Sequence, residues 1–128
     1  MFCIYENRFA FEKYNNNFHY ELCTIDNHVY RNDEIERMQL REQYCIGSFI
    51  VLPGIDVEAI MQMFINQLNT DLKQLFQVYM KSNNDEFREA FHCFTEDFDD
   101  DDKWSEYEES VLCEFAIKWC EEQGLPYA

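Results

Sequence analysis

Apolar residues recur at a helical period along most of the chain after Asp56. In the segments 57–68 and 70–79 they fall every three or four positions, which places them on one side of an α-helix. Asp56 can accept hydrogen bonds from the free amides of a first helical turn, and Asn69–Thr70 forms a short break of residues that often cap helices. The apolar positions are Val57, Ile60, Met61, Phe64, Ile65 and Leu68, and then Leu72, Leu75, Phe76 and Tyr79. The pattern predicts two helices packed antiparallel.

Two further helices are predicted toward the C-terminus. A polar stretch at 81–85 separates the first pair from a short aromatic stripe of Phe87, Ala90, Phe91 and Phe94. The last helix carries signals at both ends, because Ser105 and Glu108 have the spacing of a capping box and Gly124 followed by Pro126 is typical of a helix stop. Its apolar face consists of Leu112, Phe115, Ala116 and Trp119.

Strand-like patterns replace the helical period in residues 1–55. Polar and apolar residues alternate in 19–25, Asp26–Asn27 can turn the chain and 28–31 can return it, which predicts a β-hairpin. A further strand at 49–53 ends at Pro53–Gly54, and the segment 8–14 is a candidate for another. The segment 32–44 is compatible with a short helix capped by Asn32 or Asp33.

These elements predict the α+β class and a single domain spanning residues 1–128. A small N-terminal antiparallel sheet, made of the hairpin plus one or two strands, is expected to pack against a helical C-terminal part of about four helices. Residues 1–55 would be mainly strands with one short helix, and residues 56–128 mainly helical.

The charge is strongly acidic and unevenly distributed. The net charge is −16: residues 1–55 hold eight acids and five bases, whereas residues 56–128 hold eighteen acids and five bases. Such a field repels phosphate backbones and anionic lipids, so the composition disfavours direct binding to nucleic acid or membranes. It favours a cationic partner, although surface acid that merely aids solubility explains the same composition.

The first residues and the cysteines bear on the compartment. Charges within residues 6–13 interrupt any apolar run long enough for a signal peptide or a membrane span. The six cysteines have no zinc-ligand spacing, and reduced thiols are the expected state without a secretion signal. A cytoplasmic protein is predicted.

The order of several short motifs between about residues 50 and 127 resembles a known family. The motifs are Leu52–Pro53, then Met61, Phe64 and Ile65, then Phe87, Arg88 and Phe91, then Trp104, and finally Ala116, Ile117, Trp119 and Gly124. This order and spacing is similar to the bacterial uncharacterised protein family 0158. The resemblance implies a fold more than an activity, because the family is named for having no established function.

The chain departs from that family in one segment. The family has a Gly-rich turn followed by an aromatic-Arg-Arg-Phe-Lys run, a basic patch suited to an anion. Here the turn is 81–85 without glycine, and in 87–92 Arg88 is the base that remains while Glu89 has entered. The resemblance therefore leaves open whether Phe87, Arg88 and Phe91 keep a role.

The densest acidic segment lies between the last two predicted helices, where residues 95–109 contain nine acids. The twelve-residue EF-hand template fits 97–108, with Asp97, Asp99, Asp101 and Glu108 on ligand positions. Position six, which needs a sharp turn that glycine adopts readily, is Asp102, and the chain has no second EF-hand. A Ca²⁺ site through these four residues is the alternative to a solvated connector, in which Ser105 and Glu108 only cap the last helix.

Catalytic chemistry finds little support in the sequence. His19, His28 and His92 fall in different elements, and no nucleophile elbow, phosphate loop, dinucleotide fingerprint or zinc-protease motif is present. His92 and Cys93 are neighbours in a helix and point about 100° apart, so they cannot pair as base and nucleophile. No catalytic residue is assigned, although a small enzyme with an unrecognised site remains an alternative.

We therefore predict a noncatalytic interaction protein that binds a basic protein partner through its acidic C-terminal face. Carboxylates would speed encounter, and an exposed aromatic residue would anchor the complex. The predicted partner-binding residues are Asp99, Asp100, Asp101, Asp102, Trp104, Glu106, Tyr107 and Glu109. No cofactor is predicted apart from the alternative Ca²⁺ ion, and the sequence does not fix the oligomeric state.

Overall fold

The computed structural model describes residues 1–13, 18–43, 48–98 and 103–128. Within them the chain divides into two compact units, which we call the N-terminal unit (Met1–Asp56 with Leu112–Ala128) and the helical unit (Val57–Val111). The protein is α+β, with small sheets and a helical C-terminal part. The single-domain organisation stays a prediction.

The N-terminal unit is built from short elements. They are α1 (Ile4–Asn7), a 3-10 helix (Arg8–Phe11), β1 (Glu12–Lys13), β2 (Tyr20–Cys23), β3 (Val29–Arg31), α2 (Asn32–Arg37), α3 (Leu40–Gln43), β4 (Phe49–Val51) and β5 (Ile55–Asp56). Strands β3, β2 and β4 form an antiparallel sheet in that order, which confirms the hairpin and the strand before Pro53. Strands β1 and β5 pair in parallel, so the expectation of a purely antiparallel arrangement is wrong there.

The segment 8–14 is a strand only in part. A strand would direct Phe9 and Phe11 to the same side, because side chains alternate with a period of two. The 3-10 turn instead buries Phe11 completely and leaves Phe9 47% exposed. Phe11 packs edge-on against Trp119 and Phe115, at centroid distances of 5.5 and 6.0 Å. Burial of one ring therefore determines the local structure.

Strand β2 is buried on both faces, contrary to the alternation read from the sequence. Glu21, Leu22 and Cys23 are all at most 2% exposed. Strand β2 lies between β3 and β4, so neither of its edges is free. The side chains on both of its faces are buried as well. The Glu21 side chain is accommodated by His19, whose Nε2 lies 3.1 Å from Glu21 Oε2.

The short helix predicted over 32–44 is confirmed in part, because the structure has two helices there, α2 and α3, and the left-handed Gln39 lies between them. The N-cap position of α2 is Arg31, whose backbone N–H donates to Glu34 Oε1 at 3.2 Å. Asn32 and Asp33 are the first helical residues, so the prediction that one of them is the cap is wrong. The Asn32 Oδ1 instead accepts from the backbone N–H of His19 at 2.9 Å.

The helices predicted after Asp56 are confirmed. They are α4 (Val57–Asn66), α5 (Thr70–Ser82), α6 (Phe87–Phe98) and α7 (Lys103–Gln123). The break between α4 and α5 is capped as expected, because Asn69 Oδ1 accepts from Leu72 N–H at 2.9 Å. The C-terminal stop is also confirmed: Gly124 has φ +67°, and Leu125 N–H donates to the Cys120 carbonyl at 2.8 Å.

The start of α7 differs from the prediction. The helix begins at Lys103, so Ser105 lies inside its first turn and cannot be the N-cap of a capping box. A buried apolar cluster holds the described part of the helical unit together, and its members are Val57, Met61, Phe64, Ile65, Phe76, Ala90, Phe91 and Phe94. No helix in the described part of the chain is both long and apolar enough to cross a membrane.

Candidate partner-binding site

The acidic segment lies between the last turn of α6 and the first turns of α7. Asp97 belongs to α6, and Trp104, Glu106, Tyr107 and Glu109 belong to α7. The predicted residues Asp99, Asp100, Asp101 and Asp102 lie outside the described residues. The structure therefore shows the two ends of the predicted surface.

Trp104 and Tyr107 are not exposed anchors. Both are half-buried, and their rings lie 5.5 and 5.4 Å from the ring of Phe64. Trp104 also packs edge-on against Phe91 at 4.8 Å. Residues three apart share one face of a helix, so α7 directs both aromatics into the cluster of the helical unit. Neither side chain is fully exposed, and a contact of either one with a partner stays a prediction.

Two of the exposed carboxylates of α6 lie on one stripe. Glu89 and Glu96 are exposed, and the exposed His92 lies between them at spacings of three and four residues. We call this the α6 stripe. Neither of its acids, nor Glu106 on α7, makes an ion pair with a described residue. These carboxylates are therefore available to a cationic partner.

Arg88, which falls in the segment of family resemblance, is already engaged. Its Nε lies 3.3 Å from Glu58 Oε2, and both side chains are about half exposed. Phe87 packs edge-on against Phe76 at 5.7 Å, and Phe91 is fully buried. In this chain the two aromatics of the segment serve the core and its base pairs with an acid.

Two of the four residues of the predicted calcium loop, Asp97 and Glu108, lie in helices α6 and α7. The Asp97 Oδ2 accepts the Tyr79 hydroxyl at 2.5 Å, and this hydrogen bond raises the pKa of Tyr79 to about 12. The second half of the template, from Lys103 to Glu108, is helical. Among the described residues, no group of three or more histidine, cysteine or acidic side chains is arranged to hold a metal. Asp99 and Asp101 lie outside the described residues, so the calcium site stays a prediction.

An apolar cleft opens beside the start of α7. Its floor is Phe64 at the end of α4 and Leu72 at the start of α5, together with Leu68 between those helices. It has a volume of about 490 Å³ and continues into a smaller recess of about 80 Å³. The remaining lining residues are Gln67, Asn69, Lys103, Glu106 and Tyr107 in the larger part, and Phe94, Thr95, Phe98 and Lys103 in the recess.

Sequence reasoning assigned Leu68 and Leu72 to the core and so missed the cleft. Both residues lie at the end of an apolar helix stripe, next to the α4–α5 junction. A side chain at the end of a helix has fewer neighbours to pack against, and both leucines are only partly buried. Apolar residues of a helix stripe that lie next to a tight helix junction are the sequence signal for such a cleft.

A histidine and a buried acid also meet in the N-terminal unit. The backbone of His19 makes two hydrogen bonds with Asn32: its N–H donates to Asn32 Oδ1, and its carbonyl accepts from the Asn32 N–H. His19 lines a cavity of about 320 Å³ together with Lys13 and Tyr20. None of the described lining residues of this cavity is a serine, threonine or cysteine. Glu21 could orient the imidazole of His19, but among the described residues that line the cavity there is no hydroxyl of serine or threonine and no thiol for the imidazole to activate.

The chain matches no family model, no curated protein and no solved structure. The resemblance to family 0158 accordingly stays a prediction from the sequence.

Proposed function

We propose that this protein is a noncatalytic interaction protein that binds a basic protein partner through the acidic face of its helical unit. The observation that carries the proposal is that the exposed acids Glu89, Glu96 and Glu106 have no counter-ion among the described residues. The unit as a whole, residues 57–111, contains fourteen acids and four bases. Its uncompensated charge must be balanced by solvent ions or by a cationic surface.

The mechanism is electrostatic complementarity. Carboxylates on a surface steer an oppositely charged protein into contact and repel acidic competitors, with an effect that reaches about 8 Å at physiological salt. Exposed charge pairs each contribute only about 0.2–1 kcal/mol, so affinity of practical use requires several of them at once. The α6 stripe and the start of α7 supply such a set.

A cytoplasmic location is part of the proposal. Cys3, Cys23, Cys93, Cys113 and Cys120 are free thiols, which fits a reducing compartment.

The test compares two triple variants that remove the same number of exposed acids. Glu89→Gln/Glu96→Gln/Glu106→Gln changes the helical unit, and a matched variant changes the N-terminal unit through Glu6→Gln, Glu36→Gln and Glu42→Gln. Cationic proteins captured from a lysate of the source cells at low salt are purified and titrated by calorimetry. We expect the first variant to weaken binding about tenfold and the second to leave it nearly unchanged, because local rather than net charge makes the contacts.

Three results would count against the proposal. The first is that no cationic protein is captured at low salt. The second is binding that does not weaken as salt is raised, since exposed ion pairs are screened. The third is an equal loss in both variants, which would attribute the effect to net charge alone.

A further inference from the structure

The cleft beside the start of α7 combines an apolar floor with a polar rim. Its floor is formed by Phe64, Leu68 and Leu72. It continues into the recess of about 80 Å³, to which Phe94 and Phe98 add two further rings. Protein cavities of about 150 Å³ hold a benzene molecule, so the recess suits a smaller apolar group such as a branched aliphatic side chain. An apolar pocket with a few polar groups at its edge is the usual form of a small-molecule site.

The polar rim has one basic and one acidic side chain among the described residues. They are Lys103 and Glu106, which lie three positions apart on α7, so their Cβ atoms are about 5–6 Å apart on the same side of the helix. Both are exposed, and neither side chain makes an ion pair or a hydrogen bond with a described residue. The Tyr107 hydroxyl and the Gln67 side-chain amide, which also line the cleft, have no such partner either. The rim therefore offers one cation, one anion and two neutral groups that can donate or accept hydrogen bonds.

We propose that the cleft binds a small zwitterion, namely an α-amino acid with a branched aliphatic side chain such as leucine. The carboxylate of the ligand pairs with the Lys103 ammonium, its ammonium pairs with the Glu106 carboxylate, and its side chain enters the recess. The two charged groups of an α-amino acid are attached to one carbon atom, so they suit two rim charges that are neighbours on one helix face. The inference goes beyond the proposed function, because its ligand is a small molecule and needs no basic protein.

The charges of the rim select this class of ligand. An apolar acid would pair with Lys103 but place its carboxylate beside Glu106, and an apolar amine would place its ammonium beside Lys103. Each would leave one rim charge facing a like charge, which opposes binding. A zwitterion meets both rim charges with opposite ones. A ligand of this size makes few contacts, so we expect a dissociation constant of about 1 mM.

The experiment titrates the full chain with four compounds and follows its backbone amide signals by NMR, which detects weak binding. L-Leucine carries both charges and the side chain, leucinamide lacks the carboxylate, N-acetyl-leucine lacks the ammonium, and glycine lacks the side chain. The pH is held at about 6.5, below the pKa of an α-amino group, so that leucinamide is protonated. We expect L-leucine to shift the amide signals of Leu68, Leu72 and Lys103. It should bind at least about fivefold more tightly than each of the other three compounds, because each of them lacks one of the three contacts.

Two variants assign the charges, each with a matched control. Lys103→Met removes the rim base, and the control Lys81→Met removes an exposed lysine at the end of α5. Glu106→Gln removes the rim acid, and the control Glu114→Gln removes an exposed acid further along α7. We expect Lys103→Met to abolish the preference for L-leucine over leucinamide and to keep the preference over N-acetyl-leucine. Glu106→Gln should do the reverse, and both controls should retain both preferences.

Each preference is a ratio of two affinities measured on one variant, so a general loss of stability does not imitate its disappearance. Leucinamide that binds the unaltered chain as tightly as L-leucine would overturn the inference, because attraction to acidic side chains would then explain the binding. Equal binding of N-acetyl-leucine or glycine would overturn it as well, since the rim acid or the recess would then be unused. The absence of shifts in the cleft would have the same consequence. The proposed function keeps its own test, the capture of a cationic protein, and depends on none of these results.

Discussion

Replacing Phe91 by alanine tests whether the packing of aromatic rings holds the helical unit together. Phe91 is fully buried on α6, and its ring lies 4.8 Å from that of Trp104 and 6.1 Å from that of Phe64. The same helix provides a matched control. Phe98 is the same residue type about two turns further on, and it is 45% exposed.

The two substitutions should lower the free energy of unfolding by amounts that differ several-fold. Burial of a phenylalanine side chain contributes about 1.5–3 kcal/mol. Its removal also leaves a cavity of roughly 100 Å³, which costs about 2.4 kcal/mol at ~24 cal/mol per Å³. We therefore expect Phe91→Ala to lower the free energy of unfolding by about 4 kcal/mol. Phe98→Ala, which opens no closed cavity and loses about half of the transfer term, should cost about 1 kcal/mol.

Urea unfolding followed by tryptophan fluorescence and circular dichroism measures both effects. With a slope of about 2 kcal/mol per M, the Phe91→Ala midpoint should fall by about 2 M and the Phe98→Ala midpoint by about 0.5 M. Domains of this size have total stabilities of about 5–15 kcal/mol, so Phe91→Ala should leave a folded but marginal protein. Similar midpoint shifts for the two variants would refute the reasoning, because burial would then not determine the cost.

Three further substitutions test single contacts. Asn69→Ala removes the N-cap of α5 and should lower the free energy of unfolding by about 1 kcal/mol, whereas Asn69→Asp should keep most of the cap's stabilisation. Equal urea midpoints for the two variants would show that the Asn69 side chain does not stabilise the helix. The Tyr79 pKa of about 12 should fall toward 10 in Asp97→Asn, as followed by NMR of the ring, and an unchanged value would exclude the hydrogen bond as its cause. Because the folded-state pKa is raised, the bond contributes its full stability below pH 10 and loses it as the pH rises through 12. Gly54→Ala would place a Cβ 2.8 Å from the Cβ of Lys13 and should lower the free energy of unfolding by about 1–3 kcal/mol. Adding Lys13→Gly should restore the stability, because it removes the Lys13 Cβ, whereas adding Lys13→Ala should not. Restoration by both would show that the Cβ contact is not responsible.

The helical unit follows from the sequence because its signals are local and repeated. Each of α4, α5 and α6 carries an apolar stripe over three turns, and several matches to one period outweigh any single residue. The turn after α5 was recognised as polar, but its geometry was not. Asn84 and Asp85 both have a left-handed backbone, with φ of 54° and 61°. Asn and Asp tolerate that region, so the turn forms here without glycine.

The N-terminal unit was harder to predict because its defining contacts are short and distant in sequence. Strands β1 and β5 contain two residues each and pair in parallel across the whole antiparallel sheet segment. No window of a few residues carries a signal for such a pair. The burial of Glu21 also depends on tertiary context, since β2 is the central strand and the neighbouring His19 lies within hydrogen-bonding distance of the buried carboxylate.

The start of α7 shows why an acidic, aromatic composition does not by itself define a binding patch. Residues two apart on a helix point about 160° apart, so a single turn cannot present Trp104 and Glu106 to the same partner. The apolar cluster around Phe64 takes the two aromatics, because the free energy of burying a ring exceeds what an exposed charge pair contributes. Glu106 is then left on the exposed side, beside a floor that the packed rings help to form.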